Sequence, residues 1–223
     1  QIQQFTSDVS HELRTSLTII RGELDVALNK SRSKEEYKRI LLTVLEEVIY
    51  LTEMVEKFLF LSRNTYYENQ IQQNHIDGTL LFQSVNKHLS SMITKKHIEL
   101  SFQIPEPFIL YGDEDLLRRL FINLMENAIK YTPEGRAVEI KAYSEDKFIQ
   151  IKVIDQGIGI PKEHLPFIFQ RFYRVDDSRS RSQGGTGLGL SLCKWIVEAH
   201  KGTIEVCSNI NEGTSVIVKL HAI

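Results

Sequence analysis

Two apolar stripes, each advancing by alternating steps of four and three, dominate the first sixty residues of the chain. One runs through Leu13, Leu17, Ile20, Leu24 and Ala27, the other through Tyr37, Leu41, Val44, Val48, Leu51, Val55 and Phe58. That spacing is a heptad seam and predicts two long helices. The run Asn29-Lys30-Ser31-Arg32-Ser33 breaks them, and Ser33 with Glu36 has the form of a capping box for the second. Two amphipathic helices cannot enclose both stripes. A second copy of the hairpin would complete a four-helix bundle, so the sequence predicts a homodimer. The alternative is a hairpin packed on the rest of its own chain.

Asn64 to Gln73 has no periodicity and reads as a link. It divides the chain into a helical unit at 1–66 and a second unit at 67–223. Short strands are expected at Ile71–His75, Ile98–Gln103 and Phe108–Tyr111. Longer ones follow at Ala137–Tyr143 and Phe148–Ile154, turning at Glu145-Asp146-Lys147. The last pair is Thr203–Cys207 and Ser215–Leu220, joined through Asn211-Glu212-Gly213. Helices are expected over Gly78–Thr94, Glu114–Tyr131 and Leu188–His200. The expected fold is therefore an all-α hairpin followed by an α+β two-layer sandwich. There are no internal repeats.

Composition narrows the partners. The 223 residues are 42% hydrophobic with a net charge of −2, which gives no reason to expect nucleic acid or an anionic membrane. No apolar run approaches the roughly 20 residues of a membrane span, and no signal peptide is visible. The first residue is Gln1 rather than Met, so the expectation is a piece of a longer protein whose other parts can hold a membrane segment. Cys193 and Cys207 form neither a metal spacing nor a disulfide framework, as for reduced thiols in the cytosol.

His11, in Ser10-His11-Glu12-Leu13-Arg14-Thr15, points away from the seam toward water. An imidazole beside a carboxylate can accept a phosphoryl group. Taken alone, an exposed helix histidine is more often inert.

A second cluster supplies a donor. Asn123 and Asn127 lie four apart on one helix face, with Lys130 and Tyr131 a turn later. Amide oxygens suit Mg²⁺ when phosphates carry the charge, though asparagines also dot solvated faces. Asp155-Gln156-Gly157-Ile158-Gly159 follows an apolar strand, where a carboxylate can accept an adenine amino hydrogen and the glycines permit close approach. Gly185-Thr186-Gly187-Leu188-Gly189-Leu190 opens a helix whose exposed amides favour phosphate. It is neither a Walker A loop nor the dinucleotide pattern. Between them, Phe167 to Arg174 is dense in aromatics, and the polar run Asp176 to Gly184, the one low-complexity stretch, reads as a lid.

In this order the blocks resemble the cytoplasmic core of bacterial two-component sensor histidine kinases. An H box stands at Ser10 to Thr15, an N box at Asn123 to Tyr131, glycine boxes at Asp155 to Gly159 and Gly185 to Leu190, and an F box at Phe169 to Arg174. The hairpin resembles the dimerisation and histidine-phosphotransfer domain. The second unit resembles the ATP-binding domain shared with gyrase-type and MutL-type ATPases. The resemblance implies that His11 attacks the γ-phosphate of ATP, that Glu12 orients or deprotonates the ring, and that Thr15 positions water for dephosphorylating the partner. It further implies that Asn127, helped by Asn123, binds Mg²⁺. Lys130 and Arg174 contact phosphates, Tyr131 lies against the nucleoside, and Asp155 reads the adenine. Gly157, Gly159, Gly185, Gly187 and Gly189 let the lid close, with Thr186 and Leu188 in the same nucleotide loop. The phosphoryl group then passes to an aspartate of a response-regulator receiver domain. The parent protein would be a plasma-membrane sensor with this portion in the cytoplasm.

One position departs from the family pattern. Proline usually follows the Thr15 position, and here Ser16 stands there. Serine restores a backbone donor and is favoured over proline by about 2–3 kcal/mol in a helix interior. The expectation is a stiffer helix beyond His11. Two other readings remain at this stage: an ATP-binding scaffold without turnover, and an ATPase that drives conformational change without a phosphohistidine.

Overall fold

The computed structural model describes residues 2–62, 71–145, 148–175 and 185–221. The expected lid and the turn at 146–147 lie outside them, as does most of the expected link. Helices α1 (Ile2–Leu28) and α2 (Lys34–Ser62) form the hairpin. The capping box is present: Glu36 Oε2 accepts the Ser33 N–H at 2.8 Å and Ser33 Oγ accepts the Glu36 N–H at 3.2 Å. Arg32 donates back to the Val26 carbonyl at the end of α1, which ties the turn to both helices.

Within the hairpin the buried line differs from the expected seam. Val9 and Ser16 of α1 and Ile40, Met54 and Leu61 of α2 are buried, while Leu13, Ile20, Tyr50 and Leu51 are half-buried. Of the seam residues, Leu17, Leu24, Tyr37, Leu41, Val48 and Val55 are exposed. The apolar stripe on each helix is wider than one heptad seam. One margin packs helix on helix, and the other faces outward. Ser16 sits in the packed margin, and α1 runs unbroken through it.

The remainder comprises β1 (Asn74–Asp77), α3 (Gly78–Lys95), β2 (Glu99–Gln103), β3 (Ile109–Gly112), α4 (Glu114–Tyr131), β4 (Ala137–Glu145), β5 (Phe148–Asp155), α5 (Gly189–Ala199), β6 (Thr203–Asn209) and β7 (Gly213–His221). Strands β2, β4, β5, β7 and β6 lie side by side in that order; β2 is parallel to β4 and the other pairs are antiparallel. β1 and β3 pair separately. The first strand occupies Asn74–Asp77 rather than Ile71–His75, and Asp77 at its end caps α3 by accepting the N–H groups of Thr79 and Leu80. Alternate residues of β4, β5 and β7 point inward, among them Val138, Ile140, Ile151, Val153, Val218 and Leu220, and the helices cover that face. Phe82 and Phe121 meet at 4.7 Å between ring centroids in this core.

Helix α4 carries the N box and is anchored at both ends. Asp113 accepts the Leu116 N–H, with Glu114 and Asp115 in the first turn, where acidic charge suits the helix dipole. At the far end Lys96 Nζ donates to the carbonyls of Ile129, Lys130 and Thr132 at 2.7–3.0 Å. The hairpin meets this layer through Phe60, whose ring stands edge-on to Trp195 at 5.1 Å and lies beneath the Arg119 guanidinium at 4.6 Å. Among the described residues, no helix is long and apolar enough to cross a membrane.

Candidate nucleotide and phospho-acceptor site

The end of β5, the C-terminal half of α4 and the loop into α5 converge. Their closeness is measured by what a side chain on each glycine would strike. A Cβ at Gly185 would lie 2.8 Å from Lys130 Nζ and 3.9 Å from the Tyr131 hydroxyl. One at Gly189 would lie 3.3 Å from Asn123 Oδ1 and 3.9 Å from Asn127 Nδ2. The glycine loop is therefore laid directly over the N box. α5 begins with Leu188 as its cap residue and no side-chain hydrogen bond there, so its first amides are not claimed by a cap.

The side chains on α4 differ in how committed they are. Asn123 is buried and donates Nδ2 to the Arg119 carbonyl at 2.8 Å, which turns Oδ1 toward Gly189. Asn127, one turn on, is half-buried. Lys130 sits 5.1 Å over the Tyr131 ring. Burial pushes the Lys130 ammonium below its usual range, with Glu126 opposing and Arg174 and Lys57 adding to the shift. A half-buried cation with Arg174 and Lys57 nearby would gain from a phosphate beside it.

Asp155 ends β5 with one oxygen occupied. Oδ1 accepts the N–H of Gly157 at 2.8 Å and of Thr214 at 3.2 Å. Burial raises its carboxyl above the usual range, and the two amides oppose that rise. Gly157, Gly159 and Gly187 serve backbone packing before any lid. A Cβ on Gly157 would meet the Tyr131 carbonyl at 2.8 Å, on Gly159 the Asn209 carbonyl at 2.0 Å, and on Gly187 the Phe172 backbone at 2.7 Å. Gly159 and Gly187 also have positive φ, of 71° and 67°. Leu188 has its side chain fully buried in the core, so its backbone is what it presents at the loop. Thr186 is buried too, its Oγ1 accepting the Leu188 N–H at 3.4 Å, and it stiffens the loop.

The H box lies on α1 as expected. His11 is exposed and Thr15 donates its hydroxyl to the His11 carbonyl at 3.0 Å. An open groove beside them is lined by His11, Arg14, Thr15, Thr18 and Ile19. Glu12 turns toward the hairpin interior, where its Oε2 accepts the Tyr50 hydroxyl at 3.0 Å. Tyr50 in turn accepts a hydrogen bond from Arg174 Nη2 at 2.8 Å, and the same Nη2 donates to the Gly185 carbonyl. The H box and the glycine loop are thus linked through one phenol and one guanidinium. Tyr50 and Lys96 were not picked out by sequence. Each acts through partners distant along the chain, and no local spacing marks them.

Two family models match the chain. The His Kinase A (phospho-acceptor) domain covers residues 1–66, and the histidine kinase-, DNA gyrase B- and HSP90-like ATPase covers residues 112–222. Sensor histidine kinase CusS of Escherichia coli O157:H7 is 36% identical over 214 residues, spanning 96% of this chain and 44% of that protein. ArlS of Staphylococcus epidermidis, a signal transduction histidine-protein kinase, is 36% identical over 219 residues, spanning 96% of this chain and 47% of that protein. The chain thus spans a little under half the length of these curated relatives. Among solved structures, the histidine kinase ThkA in complex with response regulator TrrA superposes with a TM-score of 0.81 at 24% identity, covering 99% of this chain and 61% of that one. The last likeness speaks for the fold: a helical hairpin followed by the sheet-and-helix layer.

Proposed function

The chain belongs to the sensor histidine kinases, and from that premise we propose that it binds ATP and transfers the γ-phosphoryl group to His11. A ring nitrogen of His11 attacks phosphorus in line, the bond to the β-phosphate oxygen breaks, and ADP leaves. The ring proton departs to solvent or to Glu12. The carrying observation is the glycine loop lying over Asn123 and Lys130 while Arg174, at its edge, is linked to the H box. In this reading Lys130 and Arg174 meet the phosphates, Tyr131 the nucleoside, and Asp155 the adenine amino group. The Asn123 amide oxygen, aimed at Gly189, and the neighbouring Asn127 suit a hard cation that shares its charge with phosphates, so we assign Mg²⁺ to them. Bound there, Mg²⁺ would neutralise phosphate charge.

The exposed margin of the hairpin supports a homodimer through residues 1–66, with the nucleotide unit at 67–223. The pairing of ThkA with its response regulator supports transfer from His11 to an aspartate of a receiver domain. Thr15, one turn from His11, would position water when the chain dephosphorylates that regulator. The relatives' description as sensor kinases supports a cytoplasmic portion of a membrane sensor.

Incubation with γ-labelled ATP and Mg²⁺ tests the central step. Label that is acid-labile, base-stable and absent from His11→Gln is expected. Label that survives this substitution would overturn the assignment.

A further inference from the structure

Tyr50 is half-buried on α2, on the side facing α1, and its hydroxyl has one proton and two charged neighbours. The proton goes to the Glu12 carboxylate at 3.0 Å, since a carboxylate only accepts. The oxygen receives an N–H from Arg174 at 2.8 Å, since a guanidinium only donates. The guanidinium carbon also lies 5.8 Å from the centre of the Tyr50 ring. This gives an anion–hydroxyl–cation line from the H box to the nucleotide loop, within one chain. Both of Arg174's described bonds leave from Nη2, one to Tyr50 and one to Gly185. Guanidinium has five N–H donors in a planar fork, so Nη1 and Nε, which bond to none of the described residues, could take phosphate oxygens while Nη2 stays held.

We propose that Tyr50 is a positioning residue for phosphoryl transfer, bridging Glu12 and Arg174 so that the acid beside His11 and the cation facing the nucleotide are held together. The proposal rests on the kinase reading above. Such a bridge acts on the geometry of attack rather than on nucleotide affinity, because the nucleotide's remaining contacts are on α4, β5 and the loop into α5. Misplacement of reacting groups by about an ångström can cost 10²-fold in rate.

The test is Tyr50→Phe in the full chain, which keeps the ring and removes the hydroxyl. Initial autophosphorylation rates are followed against ATP concentration, alongside the thermal unfolding midpoint. The expectation is a fall in kcat of about tenfold, as for loss of a hydrogen bond to a charged group, with KM for ATP within about twofold of the original. An unchanged or raised kcat overturns the proposal, as does a change confined to KM. A kcat loss that tracks a lowered midpoint also overturns it in favour of a purely structural role. A chain that takes no label at all before substitution sinks the kinase reading, and this inference with it.

Discussion

The hairpin and the sheet layer handle the same raw material, leucine and isoleucine, in opposite ways. Leu117, Leu120 and Ile151 are fully enclosed by their own chain, whereas Leu41 is 62% exposed on α2 and Leu17 is 57% exposed on α1. The sheet layer has two faces of secondary structure to close a core between them. Among the described residues the hairpin has one partner helix for each stripe, and its outer margin is left exposed, as the proposed homodimer would require. Stability of the sheet layer is therefore intramolecular, whereas that of the hairpin, in the proposed homodimer, would depend on protein concentration.

Core and margin substitutions would separate the two most sharply. Leu120→Ala removes atoms from a closed core and should cost about 2–5 kcal/mol in denaturant unfolding. Leu41→Glu should leave that transition in place and shift the sedimentation profile from dimer to monomer. A Leu41→Glu protein that stays dimeric would break the comparison. Ser16→Pro comes next. It places a ring inside α1 within the packed margin, at a cost of about 3 kcal/mol to an unbroken helix. The expected outcome is a change in the ratio of autokinase to phosphatase rates, read separately, with the sheet layer's unfolding unaltered. Unchanged rates for both would remove Ser16 from the account.

The smallest effect belongs to His200, buried at the end of α5. Its Nδ1–H donates to the Ile196 carbonyl at 2.7 Å and its Nε2 accepts the Asp113 N–H at 3.0 Å, so the neutral ring is the one bonded. Burial lowers its pKa from the ordinary 6.5, against the opposing pull of Ile196 and Asp113. With the folded value depressed, the unfolded chain binds more protons below about pH 6.5. The stability contribution is full above that value and declines as pH falls toward the lowered one. A thermal midpoint that drops between pH 7 and pH 5.5, with a shallower drop in His200→Gln, is the expected signature, and it should appear in the sheet layer alone.

Much of this arrangement was legible from local patterns. Helix α4 was expected over Glu114–Tyr131 and occupies that span, because its cap, first-turn acids and apolar period agree. The capping box at Ser33 is equally local. The heptad reading located both helices but not which margin packs within the chain, since that depends on how the turn sets one helix against the other. The resemblance sets Leu188 in the nucleotide loop, and the burial of its side chain in the core depends on the turn rather than on any local spacing. Tyr50 escaped notice because its meaning comes from Arg174, 124 residues away.

Asp155 shows how much discrimination can rest on one carboxylate. Its two described hydrogen bonds both end on Oδ1, one from Gly157 and one from Thr214. The backbone thereby fixes the plane of the group and presents Oδ2 as an acceptor in an otherwise shielded place. In the proposed ATP site, an adenine amino group would bring a donor to that oxygen. A guanine in the same pose would bring its carbonyl there, and two acceptors would face each other. Under that proposal, choice between the two purines would follow from a mismatch of like groups, which can exclude the wrong base more firmly than an added attraction selects the right one.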